Sequence, residues 1–286
     1  MTPQQLTNSI DGLVISANGR LRKSLAAVEE QLYNRLVTIL KDIETDANGL
    51  IKQTSANRKI LRTVQAEFDF IVSEQTTYQS SIERYLRNVP KIDALNAAYF
   101  DTISTAFTPN KVFIKQLQTN AINTVNSNLL QDGFVANVKS PIAEILNMNV
   151  NTGGSFSGML EQLRTFIRGN PELDGRLISY SRGILNDTLF QYSRAYQQAT
   201  AADLGLKWYR YIGGLVKDSR EFCTTRAGGY FHESEIRAWA ALEWKGRNKY
   251  TTESSIFVVL GGYNCSHQVV PVHESVVPKE DLDRIN

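Results

Sequence analysis

The feature that most limits the fold of this chain is a helical repeat of apolar residues near its beginning. From Leu21 onward, apolar residues recur at steps of three and four, as one face of a long amphipathic helix requires: Leu25, Val28, Leu32, Leu36, Ile39 and Ile43. Gly49 weakens this pattern without ending it. A second stretch repeats the pattern up to Pro90, which is expected to break it: Ile60, Leu61, Val64, Phe68, Ile71, Val72, Tyr78, Ile82 and Leu86.

Two such helices most simply pair as an antiparallel hairpin, because a single helix with an exposed apolar stripe is unstable in water. The sequence therefore predicts a long helical hairpin over residues 1–90. Its heptads are irregular, which favours packing within one chain. A parallel coiled coil between chains stays open as the alternative.

Further helices are predicted at 92–107, 110–130, 135–146 and 156–168, with turn or loop sequences between them. A last helix is expected to begin at Asn170-Pro171, to be interrupted at Gly175 and to reach Leu204. Gly205 is well placed to cap its end. Together these segments predict a helical bundle over 91–205.

Beyond Gly205 the sequence changes character. Residues 206–212, 256–260 and 267–272 predict strands, since they are short apolar runs bounded by glycine or polar residues. Short helices are predicted over 218–225, with Asp218 as the N-cap, and after Ser234. The chain is therefore predicted to be mainly α, with a small α+β unit over 206–286 after the hairpin and the bundle.

Composition narrows the classes of function. The 286 residues carry 31 basic and 29 acidic side chains, so a net charge of +2 gives no general attraction to nucleic acid or to an anionic membrane. The first residues lack a basic segment that leads into an apolar one, and the longest apolar run, 256–260, is too short to span a bilayer. A protein made in the cytosol, without a membrane partner, is expected. Any contact with DNA has to be local.

The cysteine and histidine residues of the tail suggest a metal site. Cys265 and His267 form a Cys-x-His pair, and Cys223 lies 42 positions earlier. Zinc takes four such ligands in a tetrahedron, and His232 is the candidate for the fourth, with Asp218 behind it. The alternative is that Cys223 is a small buried apolar residue and His267 a hydrogen-bonded loop residue. Without a disulfide framework, reduced or metal-bound cysteines are expected.

A second chemical interpretation is a metal-dependent nuclease. All three histidines of the chain lie in the tail, and His232, Asn264 and His267, supported by Glu233 or Asp218, are residue types that activate water and hold a catalytic metal. The alternative is that these polar groups tie together the loops of a glycine-rich unit. On site chemistry alone, a structural role is favoured and no catalytic residue is assigned.

The remaining tail motifs favour structure over ligand binding. Asp218 and Arg220 are spaced to form a local ion pair that organises a loop. The Gly-Gly pairs at 213–214, 228–229 and 261–262 suit tight turns and lack the Lys-Ser/Thr of a phosphate loop. The aromatic residues of 208–211, with basic residues interleaved, could stack on single-stranded nucleic acid, but alternation in a strand favours one buried face.

The order of motifs in the last third of the chain resembles the phage Mu F-like minor head proteins, also called phage head morphogenesis proteins. In that family a helix with a Tyr/Ala-rich end and a Leu-Gly turn leads into an aromatic strand, an Asp-x-Arg segment with Cys or His, glycine, and an Asn-Cys-x-His segment before a Pro-Val strand. Here the corresponding residues are Tyr196 to Gly205, Trp208 to Tyr211, Asp218, Arg220, Cys223, Gly228, Gly229, Asn264, Cys265, His267, Pro271 and Val272.

The resemblance implies a low-copy virion protein of a bacteriophage, present in host cytoplasm during assembly. Such a protein binds the portal or inner capsid proteins and assists head assembly, DNA packaging or DNA ejection, with contact to packaged DNA as a further expectation. It is not an enzyme. The implied structural cluster consists of Asp218, Arg220, Cys223, Asn264, Cys265 and His267. One departure is that the second cysteine of each ligand pair in the metal-binding versions is missing here. The rival function is the nuclease that uses His232 and His267.

Overall fold

The computed structural model describes residues 1–71, 77–105 and 107–285. Most of these residues are helical, which confirms the prediction of a mainly α chain. The described helices before residue 205 are α1 (Pro3–Leu40), α2 (Ser55–Ile71), α3 (Thr77–Leu86), α4 (Val89–Ile103), α5 (Lys111–Leu129), α6 (Asp132–Phe134, continued by a π-helical turn, Val135–Lys139), α7 (Ser140–Thr152), α8 (Phe156–Arg168) and α9 (Arg176–Asp203). Short helices follow: α10 (Glu221–Thr224), α11 (Glu233–Ala238), α12 (Ile256–Val259) and α13 (Lys279–Leu282).

A small antiparallel sheet lies in the C-terminal part of the chain. Its strands are β1 (Trp208–Ile212), β2 (Tyr230–His232) and β3 (Gln268–Val272), in the order β2-β1-β3. The central strand places Trp208 opposite His232 on one side and opposite Val272 on the other. The predicted α+β unit is thus present, with β2 as a strand that the sequence did not predict.

The chain folds into two compact units that do not coincide with the three predicted ranges. One unit contains residues 1–17, 87–124 and 185–286, and the other contains 18–86 and 125–184. Helices α1, α5 and α9 contribute residues to both. The α+β unit therefore shares a compact unit with the first turns of α1 and with α4, which the sequence had assigned to separate domains.

The predicted hairpin is formed by α1 and α2. Asn57, at the start of α2, accepts from the backbone N–H of Glu44 at 2.8 Å and donates to its carbonyl at 3.0 Å. Further along, the Arg35 guanidinium pairs with Glu67 and lies 4.5 Å from the centroid of the Phe70 ring. Residues later in α2 thus meet residues earlier in α1, as antiparallel packing requires.

The hairpin differs from the prediction at its turn. Helix α1 ends at Leu40, so Gly49 does not lie inside a helix; with φ at 76° it closes a turn next to the bridge between Thr45 and Ile51. Pro90 occupies the first turn of α4, where proline is tolerated because its missing N–H has no helical partner. The predicted helical residues Val72 and Ala106 lie outside the described residues.

The start of α9 also differs from the prediction. Asn170 and Pro171 precede the helix, which begins at Arg176 after a bridge between Gly169 and Asp174. A side chain of α1 stabilises the first turn of α9, because the buried Glu29 carboxylate accepts from the backbone N–H of Ile178 at 3.0 Å. Burial raises the pKa of Glu29 to about 7, while the N–H groups of α9 oppose the shift.

Several tail elements correct the sequence prediction. Residues 256–260 are not a strand: Ile256–Val259 forms the single-turn helix α12. The helix predicted over 218–225 is α10, which begins at Glu221 with Arg220 as its N-cap, so Asp218 is exposed and outside it. Both faces of β1 are buried, since the sheet is covered on two sides. The predicted glycine cap at Gly205 is confirmed, with φ at 67°.

Within the described residues, none of the helices is both long enough and apolar enough to cross a membrane.

Candidate metal centre

Three of the predicted ligand residues meet in the α+β unit. Cys223 comes from α10, and Cys265 and His267 come from the segment that leads into β3. Their ligand atoms all lie within 4.8 Å of one another, and Cys265 Sγ is 3.8 Å from His267 Nδ1. The side chains are buried, with relative exposures of 2%, 2% and 5%. This cluster can hold a metal ion.

The sheet register explains how residues from distant parts of the sequence come together. Strand β3 pairs with β1, with Gln268 opposite Ile212, so His267 and Gly213 lie next to each other where the two strands end. A Cβ atom on Gly213 would lie 2.6 Å from Cδ2 of His267. The imidazole therefore occupies space that only a glycine at position 213 leaves free.

A second glycine makes room for the sulfur atoms. A Cβ on Gly261 would lie 2.7 Å from Cys223 Sγ and 2.9 Å from Cys265 Sγ. Its neighbour Gly262 has φ at 94°, which favours glycine. A Cβ atom on Gly262 would also overlap the carbonyl oxygen of Gly246. The Gly-Gly pair predicted as a turn therefore also packs directly against the cluster.

Hydrogen bonds fix the segment that carries Cys265. The Arg220 guanidinium donates to the carbonyl of Tyr263 at 2.6 Å, and the Trp244 indole donates to that of Gly261 at 3.0 Å. Asn264 has φ at 57°, a conformation that asparagine tolerates. Its backbone N–H donates to the Asp187 carboxylate of α9 at 2.7 Å. Arg220, Trp244 and Asp187 therefore each fix this turn by a hydrogen bond to its backbone.

A buried arginine completes this support. Arg194, in α9, is 1% exposed and donates to the carbonyls of His267 and Cys265, each at 3.3 Å. Its Nε donates to the Phe190 carbonyl within the same helix at 3.2 Å. Because a buried positive charge is costly, it favours negative charge on the neighbouring sulfur atoms.

The two thiols have opposite tendencies to ionise. The hydrogen bond from Cys223 holds the pKa of Cys265 well below its usual value, and the hydrogen bond with His267 and the charge of Arg194 lower it further, against the effect of burial. The same hydrogen bond, with burial, raises the pKa of Cys223. The pair therefore favours a thiolate at Cys265 that a Cys223 S–H group stabilises. A thiolate is the form that binds metal.

The geometry is compatible with a metal ion bound by sulfur and nitrogen. Zinc–sulfur and zinc–nitrogen bonds are about 2.3 Å and about 2.0 Å long, which at tetrahedral angles puts the two donor atoms about 3.6 Å apart. The 3.8 Å between Cys265 Sγ and His267 Nδ1 is close to that value. His267 Nε2 is buried and has no hydrogen-bond partner among the described residues. Small adjustments of the side chains are enough to place three ligands around one ion.

The other predicted site residues are placed elsewhere. His232 is the N-cap of α11: its Nδ1 lies 2.8 Å from Ser234 Oγ, and its ring packs edge-on against Trp208. It is not among the residues that gather around Cys265. Asp218 is exposed, and among the described residues no ion pair joins it to Arg220, which instead bonds the Tyr263 carbonyl. The predicted fourth ligand and the predicted local ion pair are therefore both wrong.

The nuclease constellation is also not assembled. His232 caps α11 and His267 is in the buried cluster, while Glu233 pairs with Lys207 and Arg237. Tyr209 and Tyr211 are buried against Phe257 and His267, with ring centroids 5.2 and 5.3 Å apart, so they are core residues and not a stacking surface. Core packing, the favoured interpretation of these aromatic residues, is confirmed.

A cavity of about 850 Å³ opens beside the cluster. All three ligand residues line it, and so do the guanidinium groups of Arg220 and Arg226. Its carboxylates, Asp218, Glu221 and Glu243, are exposed. The cluster thus forms part of the wall of this cavity.

No protein-family model, curated protein or solved structure matches this chain.

Proposed function

We propose that this chain is a structural component of a bacteriophage head, a minor head protein that binds portal or inner capsid proteins and assists head assembly, DNA packaging or DNA ejection. The observation that supports the proposal is the convergence of the residues on which the resemblance rests. Arg220, Cys223, Asn264, Cys265 and His267 are separated by up to 47 positions in sequence, yet all belong to one cluster and its supporting turn.

We further propose that the ion in this cluster is a structural zinc held by Cys223, Cys265 and His267. A buried metal that joins α10 to the segment before β3 stabilises the α+β unit, because metal binding to a folded site adds directly to folding free energy. The long helices would supply the surfaces that bind the partners, since apolar stripes on amphipathic helices fit grooves in other proteins.

The rival nuclease function has less support from the geometry. A nuclease that uses His232 and His267 needs both imidazoles at one metal or one water molecule. His232 instead caps α11, and the buried ring of His267 faces sulfur on one side. Binding is therefore preferred over catalysis.

The test is quantitative mass spectrometry of purified particles, before and after DNA release, from the phage or prophage that encodes the chain. A low-copy signal in the particles is expected, and its loss after release would assign the chain a role in DNA ejection. Absence from particles would overturn the proposal. The same particle preparation, treated to release its protein, is assayed for nuclease activity with and without added zinc.

A matched pair of variants tests the cluster within this function. Particles assembled with Cys265→Ser are expected to lose the chain or to lose infectivity, because a thiolate ligand is replaced by a hydroxyl group. Ser266→Ala, at the neighbouring half-buried position, is expected to be incorporated normally. Normal incorporation and full infectivity of Cys265→Ser would show that the cluster is not needed for assembly.

A further inference from the structure

We infer that a zinc ion in this cluster keeps one coordination position open to the adjoining cavity and binds a small anionic ligand there. The inference rests on the zinc centre of the proposed function and adds a binding activity to it. Zinc takes four ligands, and protein sites that supply three leave the fourth position to solvent or to a ligand. Here Cys223, Cys265 and His267 supply three, and all of them line the cavity of about 850 Å³.

The group has three members in the described part of the chain, with the buried Tyr211 hydroxyl against Cys223. No other histidine, cysteine or carboxylate among those residues places a ligand atom within the group around Cys265. The carboxylates of the cavity wall, Asp218, Glu221 and Glu243, are exposed to solvent, whereas the ligands are buried. Since all three ligand residues line the cavity, a small ligand can approach a bound ion from there.

The charges around this position favour an anion. A zinc ion with two thiolates and one neutral imidazole is neutral as a unit. Arg194 is buried against the ligand-bearing segment, and the half-buried Arg220 and Arg226 line the cavity. The carboxylates that line the cavity are exposed, so water screens them more strongly than it screens these guanidinium groups. The half-buried Asp187 and Asp11 carboxylates offset part of the charge of Arg194 and His267. A halide, azide or carboxylate group would thus meet a positive potential.

Arg226 is the residue best placed to contribute. Its guanidinium packs against the rings of Phe222 and Trp239, at 4.1 and 4.7 Å from the centroids, and its Nη1 donates to the Phe222 carbonyl at 2.9 Å. Its Nε is buried and has no hydrogen-bond partner among the described residues. Packing therefore fixes this charged group on the cavity wall, close enough to Cys223 for the two groups to interact electrostatically.

The experiment replaces zinc with cobalt(II) in the full chain and uses azide as the probe. Cobalt bound to thiolates gives sulfur-to-cobalt charge-transfer bands, and its visible d–d bands respond to a change of one ligand. Saturable shifts of the d–d bands on addition of azide are expected. Arg226→Met is expected to raise the azide dissociation constant about tenfold, because a nearby positive charge is removed. Arg164→Met removes the same charge from an exposed site in the other compact unit and is expected to leave azide binding unchanged.

The possible results separate this inference from the proposals on which it rests. Cobalt–thiolate bands that do not respond to azide would show a closed centre and overturn the inference, while the zinc centre would stand. Loss of cobalt affinity in Asp218→Ala or Glu221→Ala would identify a carboxylate as the fourth ligand and would also overturn it. A chain that binds no cobalt would overturn the zinc centre itself. The role in the phage head is tested independently by the composition of particles.

Discussion

Two sulfur atoms leave no space for a side chain at position 261. Gly261 has ordinary backbone dihedral angles, so its constraint is one of space and not of conformation. This distinguishes it from Gly262, where the positive φ already favours glycine. The requirement for glycine at 261 therefore comes from the positions of the Cys223 and Cys265 sulfur atoms.

Substitution of Gly261 by alanine tests that placement. The added methyl group must displace both sulfur atoms or the turn beneath them, and overpacking of this kind costs about 1–3 kcal/mol. We expect Gly261→Ala to lower the free energy of unfolding by that amount and to reduce zinc content. The measurements are urea unfolding and metal analysis. Gly214→Ala is the control, since a Cβ there meets nothing within 4 Å. An unchanged stability of Gly261→Ala would contradict the sulfur positions.

Arg194 has a different role, since it supports the cluster without being a ligand. Replacement by methionine removes the hydrogen bonds to the carbonyls of His267 and Cys265, and each buried carbonyl left without a partner costs about 1–3 kcal/mol. We expect Arg194→Met to weaken zinc binding about 10- to 100-fold, as loss of a supporting contact to a ligand does. Competition with a chromogenic chelator measures the affinity. Arg62→Met, on an exposed part of α2, should bind zinc as the unchanged chain does.

Sequence alone identified the three residues of the cluster but not the residues that support them. Cys223, Cys265 and His267 were predicted together because their chemistry is distinctive in a tail that contains every histidine and cysteine of the chain. Arg194 and Asp187 were not predicted, because they lie within the periodic pattern of a long helix, where charged residues are ordinary. Their importance comes from the tertiary contact between α9 and residues about 70 to 80 positions later.

At the scale of elements, helix α9 begins with help from α1. The Glu29 carboxylate accepts from the first turn of α9, and Gly175 leaves the space that this carboxylate fills, since a Cβ there would lie 2.4 Å from Glu29 Oε2. Helix N-termini favour negative charge, yet burial makes the charged form costly. Burial has the larger effect, as the raised pKa of Glu29 indicates.

This raised pKa predicts how stability depends on pH. The pKa of Glu29 rises from its usual 4.5 to about 7 in the folded chain, so the folded state holds a proton that the unfolded state has lost. The contribution of this proton to the free energy of unfolding is fully present below pH 4.5. It is lost as the pH rises towards and through 7, which lowers the free energy of unfolding by about 3 kcal/mol. Glu29→Gln keeps an acceptor for the Ile178 N–H and should remove this part of the dependence.

The measurement is urea unfolding followed by far-UV circular dichroism at pH 5 and pH 8. The difference between the unchanged chain and Glu29→Gln isolates the contribution of this group from those of other carboxylates. Glu30→Gln, which changes an exposed partner of Arg168, serves as the control. Parallel pH curves for the unchanged chain and Glu29→Gln would contradict the assignment.

The helices were predicted better than the short tail elements. Helix α8 has the predicted bounds, Phe156–Arg168, because an N-cap serine and a capping glycine frame a clear amphipathic period. Residues 256–260 were predicted as a strand because they are a short apolar run, and 256–259 form α12 instead. A short apolar run has the same pattern in a strand and in one turn of helix, so the sequence cannot distinguish them. Tertiary packing selects the helix here, since Ile256, Phe257 and Leu260 pack against the sheet.

At the scale of the molecule, the two compact units can be observed separately. All three tryptophans, at 208, 239 and 244, belong to the unit that contains the metal cluster. Tryptophan fluorescence therefore reports on that unit, whereas far-UV circular dichroism reports on the helices of both. The Trp244 indole even contacts the cluster's own turn, through the Gly261 carbonyl.

Removal of the metal should therefore affect the two signals unequally. Loss of a ligand that binds only the folded state lowers its stability, and we expect a chelator to lower the fluorescence midpoint of thermal unfolding by at least about 5 °C. The midpoint seen by circular dichroism should move less. Cys265→Ser, which lacks one ligand, should be insensitive to the chelator. The absence of a shift in the unchanged chain, or an equal shift in Cys265→Ser, would argue against a zinc centre in this unit.

The distance in sequence between Cys223 and Cys265 has a consequence for the unfolded chain. A metal that bridges them closes a loop of about 43 residues, which contains β2, α11 and α12. For a permanent crosslink, closing a loop of this length removes chain entropy equivalent to about 4 kcal/mol from the unfolded state. Part of the stabilisation would thus come from the unfolded state, because the bridged chain has fewer conformations available to it.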